Sequence, residues 1–384
     1  MKYLLALDSY KNCMDSLSVA QAVARGIQQK DANAIVDILP VADGGEGSVH
    51  AVCYQNSQAQ LCQESVSGPM GKTHFAEYAW FEKTQMAWIE LANICGIELL
   101  PGKHLDVMRA SSFGVGEMLL KLYHRGIYHF GIGIGGSASC DGGVGLLQAL
   151  GAQFYNKEHQ LIAVPAGGGD LKKIEFCDLT NLQEFIQKTN ITIFSDVTNP
   201  LLGLDGTAAV FAPQKGADAK KIVELEDGLS HYYNILKFHK KSLECTIGGD
   251  GAAGGVGFAL RGILNGKIVS GASEILSLAQ FQQRLLSADC VITGEGRSDS
   301  QTLHGKLPVV IAEKAREQNK IVILLSGAVL DMDQLLPKFD AVFSIASGPG
   351  SLEDALANTA ENLYAYGLNI ASLLTSSKLP IEKK

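Results

Sequence analysis

Residues 291–306 read VITGEGRSDSQTLHGK, and the architecture follows from how that stretch begins and ends. Val291 and Ile292 close an apolar run that predicts a buried strand, and Gly294 and Gly296 end it in a turn. Glu295, Arg297, Asp299 and Gln301 then alternate with small residues before Lys306 and Pro308 lead into an apolar-periodic helix. Polar groups beyond the C-terminal end of a parallel strand, ahead of a helix, mark where open α/β sheets bind ligands. A capped structural loop does not need so many different functional groups in so short a span, so the stretch is read as part of a site.

The same rhythm extends in both directions. Downstream, strands at 290–293, 321–325 and 341–345 alternate with helices, and the last helix is expected to carry Leu352, Ala355, Leu356, Thr359, Leu363, Tyr366 and Ile370 on one face. Upstream, Tyr3 to Leu7 is an apolar strand ending in Asp8-Ser9-Tyr10-Lys11, with Asp15 and Ser16 as capping residues of the helix that follows. Ala34 to Leu39 is a second strand, ending in a polar cluster that holds Asp43 and Glu46. Two N-terminal and three C-terminal strands complete a parallel, doubly wound α/β sheet, because right-handed βαβ crossovers favour that solution.

The middle of the chain has another texture. From Gln60 to Ile97 short strands joined by tight turns predict antiparallel sheet. Residues 61–270 are therefore expected to form an inserted α/β domain that interrupts a domain made of 1–60 and 271–384, with the ligand cleft between them. The insert holds two dense glycine clusters, at 131–151 and 248–257. Glycine lets backbone N–H groups approach an anion. Such clusters beside acidic residues point to phosphate or carboxylate binding, although any single glycine serves turns and close packing equally well.

Composition narrows the function. A net charge of -8 with no Lys/Arg-rich run argues against nucleic acid. No apolar run approaches membrane-spanning length, and the apolar start is cut short at Asp8. The eight cysteines form no C-x-x-C pair and are read as reduced thiols of a cytoplasmic protein. Gly305-Lys306 is followed by Leu307, so no Walker loop is present. G-x-G-x-x-G occurs at Gly131, Gly133, Gly136 and at Gly249, Gly251, Gly254, but neither hit lies in the first βα unit. A cleft rich in carboxylates, lysines, an arginine and glycine loops suits phosphoryl transfer. Carboxylates hold Mg²⁺, cations and N–H groups neutralise the transferring phosphoryl, and one carboxylate takes the hydroxyl proton.

These residues also carry a family resemblance. The stretches DSYK, PVADGGEGS, SSFGVGE, GIGGSASCDGGVG, SDVTNPLLG, VFAPQKGA, GGDGAAGG and VITGEGRSDSQTLHGKLP recur in order along nearly the whole chain, which thereby resembles the type I glycerate kinases. The resemblance implies a flavodoxin-like doubly wound domain interrupted by a second α/β domain. It implies ATP and Mg²⁺ as cofactors, D-glycerate as substrate and the 2-phosphate as product. Asp196 is then the first candidate for catalytic base or metal ligand, and Asp43, Glu46, Glu295 and Asp299 are the other candidates for metal or base. Arg297 and Lys11 are candidates for the substrate carboxylate, with Asp8, Asn199 and Gln301 nearby. Lys306, Lys215, Gly135, Gly136, Ser137, Gly294 and Gly296 are candidates for the nucleotide phosphates. Departures from the family pattern stand at Ser298, in place of an apolar residue, at Asp250, in place of a small one, and in the longer loop after Lys11. A nicotinamide-dependent enzyme for a small hydroxy acid and a non-catalytic sugar-acid sensor are the alternatives.

Overall fold

The computed structural model describes residues 1–11, 13–42, 44–100, 104–303, 305–346, 348 and 350–376, with Gln301 described by its backbone. The chain forms two compact units, one of Met1–Asp43, Tyr54–Asn56 and Ala272–Lys384, the other of Gly44–Cys53 and Ser57–Gly271.

The first unit is built on a five-stranded sheet in the order Ala341–Ser344, Ile321–Ser326, Cys290–Gly294, Lys2–Leu7, Ile35–Ile38. Every pairing in it is parallel, with Tyr3 opposite Cys290 and Lys2 opposite Ile35. In chain order this is 2-1-3-4-5, the flavodoxin-like doubly wound arrangement. The continuous apolar run of Lys2–Leu7 reflects a strand covered on both faces. Leu4 and Ala6 face a layer with Phe281, Ile311 and Ala312, while Tyr3, Leu5 and Leu7 face one with Val19, Val23, Leu363 and Ile370. Asp15 caps the helix Ser16–Lys30, its carboxylate accepting from Ser18 N at 2.8 Å.

The last helix departs from the sequence expectation. It divides into Leu352–Ala357 and Thr359–Ser376, with Asn358 between them. Asn358 ends the first piece, where its side-chain amide donates to the Asp354 carbonyl at 2.9 Å. Asparagine competes with the helix for backbone bonds in this way. Leu352 and Ala355 consequently leave the buried face of the second piece, and Leu352 is 75% exposed.

The second unit carries a six-stranded sheet in the order Lys267–Val269, Asn190–Phe194, His129–Gly133, Met86–Glu90, Thr73–Phe81, Ala59–Ser67. The first three pairings are parallel and the last two antiparallel, as the change of texture at Gln60 predicts. Trp88, Phe130, Leu146, Tyr232 and Phe258 are among its fully buried residues. The second glycine cluster runs into the helix Ala252–Phe258, which is interrupted by Ala253, Gly254 and Gly255 in the left-handed region.

Candidate active site

In the first unit the strand order reverses between Lys2–Leu7 and Cys290–Gly294. Crevices at such reversals, beyond the C-terminal strand ends, are where doubly wound sheets take ligands. A cavity of about 670 Å³ opens there, with Asp8, Lys11, Glu295, Arg297, Asp299 and Lys306 among its lining residues. The quoted stretch after Cys290–Gly294 and the Asp8–Lys11 loop after Lys2–Leu7 therefore share one cavity.

The loop that begins at Glu295 is tied to the sheet. Arg297–Ser298 pairs in parallel with Ala328–Val329, so the strand pairing resumes beyond the turn. Ser298 Oγ lies 2.8 Å from Ser326 Oγ and donates to Glu295 Oε1 at 3.1 Å. The serine that departs from the family pattern thus joins the loop to its neighbouring strand. Thr302 Oγ1 donates to the same Glu295 oxygen at 2.7 Å, and Lys306 Nζ stands 3.3 Å from the other. Arg297 Nε is 3.3 Å from Asp299 Oδ2, and the Arg297 side chain is 65% exposed.

Gly294 is required by its surroundings, because a Cβ there would lie 1.6 Å from the Leu325 carbonyl oxygen. Gly296 carries no such demand, its nearest neighbours being at ordinary contact distance. Tyr10 is buried in the same wall, its hydroxyl donating to the Leu325 carbonyl at 2.8 Å, and burial pushes its pKa far above the usual phenol range. Gln301 has its backbone in the turn Ser300–Leu303, and its side chain lies outside the described residues, as does Asp43.

In the second unit, blocks far apart in sequence come together. Gly142 N donates to Gly254 O at 2.9 Å, joining the two glycine clusters. Asn199 O accepts from Gly249 N at 3.1 Å and Gly251 N at 2.9 Å, so the loop of Asp196 and Asn199 lies against the second cluster. The Asn199 side chain donates to Asp205 O at 2.8 Å. Asp196 stands two residues beyond the strand Asn190–Phe194, partly buried in that loop.

Lys215 has a different surrounding from the one expected of a phosphate ligand. It is buried and donates to Ser137 Oγ at 2.6 Å and to the Ser139 carbonyl at 2.7 Å. Burial lowers its pKa. Its ammonium, and with it the Ser137 hydroxyl, holds the loop that contains Gly135 and Gly136. Asp250 likewise turns inward, where Arg261 grips it at 2.6 and 2.7 Å through Nε and one NH2 group. Burial pushes its carboxyl up and Arg261 pulls it down. The extra charge in the second glycine cluster is therefore neutralised within the unit.

Glu90 went unnoticed in the sequence. It ends the strand Met86–Glu90, is buried, and accepts from Val49 N at 3.1 Å and Ser48 Oγ at 3.3 Å. Trp88 Nε1 donates to the same Ser48 hydroxyl at 3.2 Å, and Trp88 stacks on Phe194 at 4.0 Å. Burial pushes the Glu90 carboxyl up to about 7. An acidic residue closing an apolar strand was the only visible signal of it.

Among the described residues no three His, Cys, Asp or Glu side chains group as a metal cage. Mg²⁺ asks for less, since one or two carboxylates with waters and substrate phosphates suffice. The hard-oxygen donors Glu295 and Asp299 in the cavity fit that requirement.

Comparison with known proteins agrees with this arrangement. A profile described as the glycerate kinase family matches residues 3–375. A glycerate 2-kinase of Escherichia coli K12 is 37% identical over 379 residues, covering 97% of this chain and 98% of that one. A glycerate kinase of Bacillus cereus is 36% identical, covering 97% and 98%. A crystal structure of a protein assigned as glycerate kinase 2 from Salmonella typhimurium LT2 superposes with a TM-score of 0.79 at 36% identity, over 99% of this chain and 100% of that one. With a family match along almost its entire length and relatives above one-third identity, this chain is a member of the glycerate kinase family.

Proposed function

We propose that the protein transfers the γ-phosphoryl group of ATP to D-glycerate, giving the 2-phosphate, in the cytoplasm. The observation that carries this reading is the cavity at the strand-order reversal, where acidic and basic side chains alternate around a space large enough for a nucleotide. The name of the Escherichia coli relative favours the 2-hydroxyl as acceptor.

In this reading Arg297 and Lys11 take the glycerate carboxylate, and Asp8, Asn199 and Gln301 are the candidates for its hydroxyls. Lys306 and the backbone at Gly294 and Gly296 take the nucleotide phosphates, with Gly135, Gly136 and Ser137 as further candidates on the second unit. Asp196 or Asp43 accepts the hydroxyl proton. Glu295 and Asp299 would hold Mg²⁺, which when bound neutralises charge on the phosphates, and Asp196 and Asp43 are the other metal candidates. Lys215 positions its loop. Transfer conserves atoms: the acceptor oxygen forms a bond to γ-phosphorus as the bond to the β,γ-bridging oxygen breaks, and ADP leaves.

Coupled detection of ADP with Mg-ATP and D-glycerate tests the reaction, and phosphorus NMR of the product assigns the hydroxyl. ADP formation indifferent to glycerate overturns the reading. A melting shift with NAD(P) but none with ATP would favour the nicotinamide alternative.

A further inference from the structure

The cavity of the first unit is larger and less uniform than a three-carbon acid needs. Its volume of about 670 Å³ falls among sites for drug-sized ligands. One end is charged, where Lys11, Arg297 and Lys306 stand beyond the central strands. The other is bounded by Ile345 and Ala346, after the strand Ala341–Ser344, and by Leu352, Ala355 and Leu356 of the helix Leu352–Ala357. Cys13 lines the cavity too, its thiol donating to the Leu356 carbonyl at 3.2 Å.

Two uncharged polar side chains stand at this apolar end. The Thr359 hydroxyl is spent on the Ala355 carbonyl at 3.0 Å. The half-buried Asn362 carboxamide makes no side-chain hydrogen bond to a described residue. Glycerate carries oxygen on every carbon and gains nothing from an apolar wall. A nucleotide has the matching distribution: phosphates at one end, a flat ring with a polar edge at the other.

We propose that the apolar arm is the purine subsite of the nucleotide and that Asn362 reads the adenine edge. This rests on the kinase reading above. A carboxamide accepts from the adenine 6-amino group and donates to N7, whereas guanine presents acceptors at both O6 and N7 and leaves the amide oxygen unmatched. The base lies against Ala355 and Leu356, and the phosphates run toward Lys306. Asn362 is a specificity-determining residue: it selects which nucleotide serves as donor.

The test compares ATP and GTP as donors at saturating glycerate, using the full chain, Asn362→Ala and Ala355→Trp. Asn362→Ala lowers kcat/KM for ATP by about 10- to 100-fold and leaves GTP within about threefold, so donor selectivity collapses. Ala355 is an exposed helical residue, so Ala355→Trp fills the arm without entering the core. It lowers kcat/KM for both nucleotides by about tenfold or more and spares KM for glycerate. In parallel, Mg-ADP slows alkylation of Cys13 by N-ethylmaleimide, read by peptide mass. If the unaltered enzyme turns over ATP while both variants keep its selectivity and KM, the base binds elsewhere and the kinase reading stands. If the unaltered enzyme forms no glycerate-dependent ADP, the kinase reading fails, and protection of Cys13 by Mg-ADP alone decides the subsite: absence of protection overturns it.

Discussion

Lys306 Nζ lies 3.3 Å from Glu295 Oε2, while the other oxygen of that carboxylate accepts from Thr302 Oγ1 at 2.7 Å and from Ser298 Oγ at 3.1 Å. Glu295 is thereby the knot of its loop. It holds the lysine at the entrance of the helix Leu307–Glu317 and presents a hard oxygen to the cavity.

Glu295→Gln keeps the shape of that knot and removes its charge. We expect kcat/KM for Mg-ATP to fall by about 10- to 100-fold, while KM for glycerate stays within about threefold. A Mg²⁺ titration separates the two roles: a raised half-saturation assigns Glu295 to the metal, an unchanged one to orienting Lys306. Unaltered ATP kinetics would remove Glu295 from the nucleotide site.

Arg297 offers a planar fork that can hold a carboxylate through two parallel hydrogen bonds. Arg297→Lys keeps the charge and loses the fork, so kcat/KM for glycerate should fall by about 10- to 1,000-fold. ATP should be little affected, and the slow turnover of glycerol, which lacks the carboxylate, should be indifferent. Weakened ATP with unchanged glycerate would assign Arg297 to the phosphates and leave Lys11 as the carboxylate ligand.

Asp196→Asn deletes a charge at the end of the strand Asn190–Phe194 with almost no change of shape. If this carboxylate takes the acceptor proton, kcat should fall by about 10²–10⁴-fold with circular dichroism unchanged. A kcat within a few-fold of the unaltered enzyme excludes Asp196 as base.

Glu90 predicts a pH effect on stability. Burial moves its carboxyl from the ordinary 4.5 to about 7. The folded chain therefore keeps a proton there that the unfolded chain has lost. That advantage is full below 4.5, shrinks as pH rises, and is gone above about 7, a difference of about 3 kcal/mol. Glu90→Gln does not titrate. Between pH 5 and 8.5 the melting temperature of the unaltered protein should fall by about 5 °C or more relative to the variant. Parallel pH profiles would mean that Glu90 ionises normally.

The sheet of the first unit was legible because its strands are covered on both faces. Lys2–Leu7 and Cys290–Gly294 leave only apolar runs, and short loops confine the polar residues to strand ends. Glu295, Arg297 and Lys306 announced themselves by crowding into one such end. Other features depend on neighbours that no local pattern reveals. Lys215 looks like any loop lysine until Ser137 and Ser139 close over it, and Glu90 like a surface acid until Ser48 caps it. Asn358 and Asn362 are ordinary helix-surface residues in sequence. One ends a helix that apolar spacing alone would have continued, and the other lines the cavity from the helix that follows.

The register of the first sheet also bears on how the chain is made. Tyr3 pairs with Cys290, so Lys2–Leu7 is synthesised long before its inner neighbour, the central strand Cys290–Gly294. At about 5–20 residues per second the partner leaves the ribosome roughly 15–60 s behind it. Until then Lys2–Leu7 has only Ile35–Ile38 to pair with, and a two-stranded pair is marginal on its own. The apolar strand Lys2–Leu7 is thus a long-lived target for chaperones, and the residues between the two strands are complete before the sheet that brackets them can close.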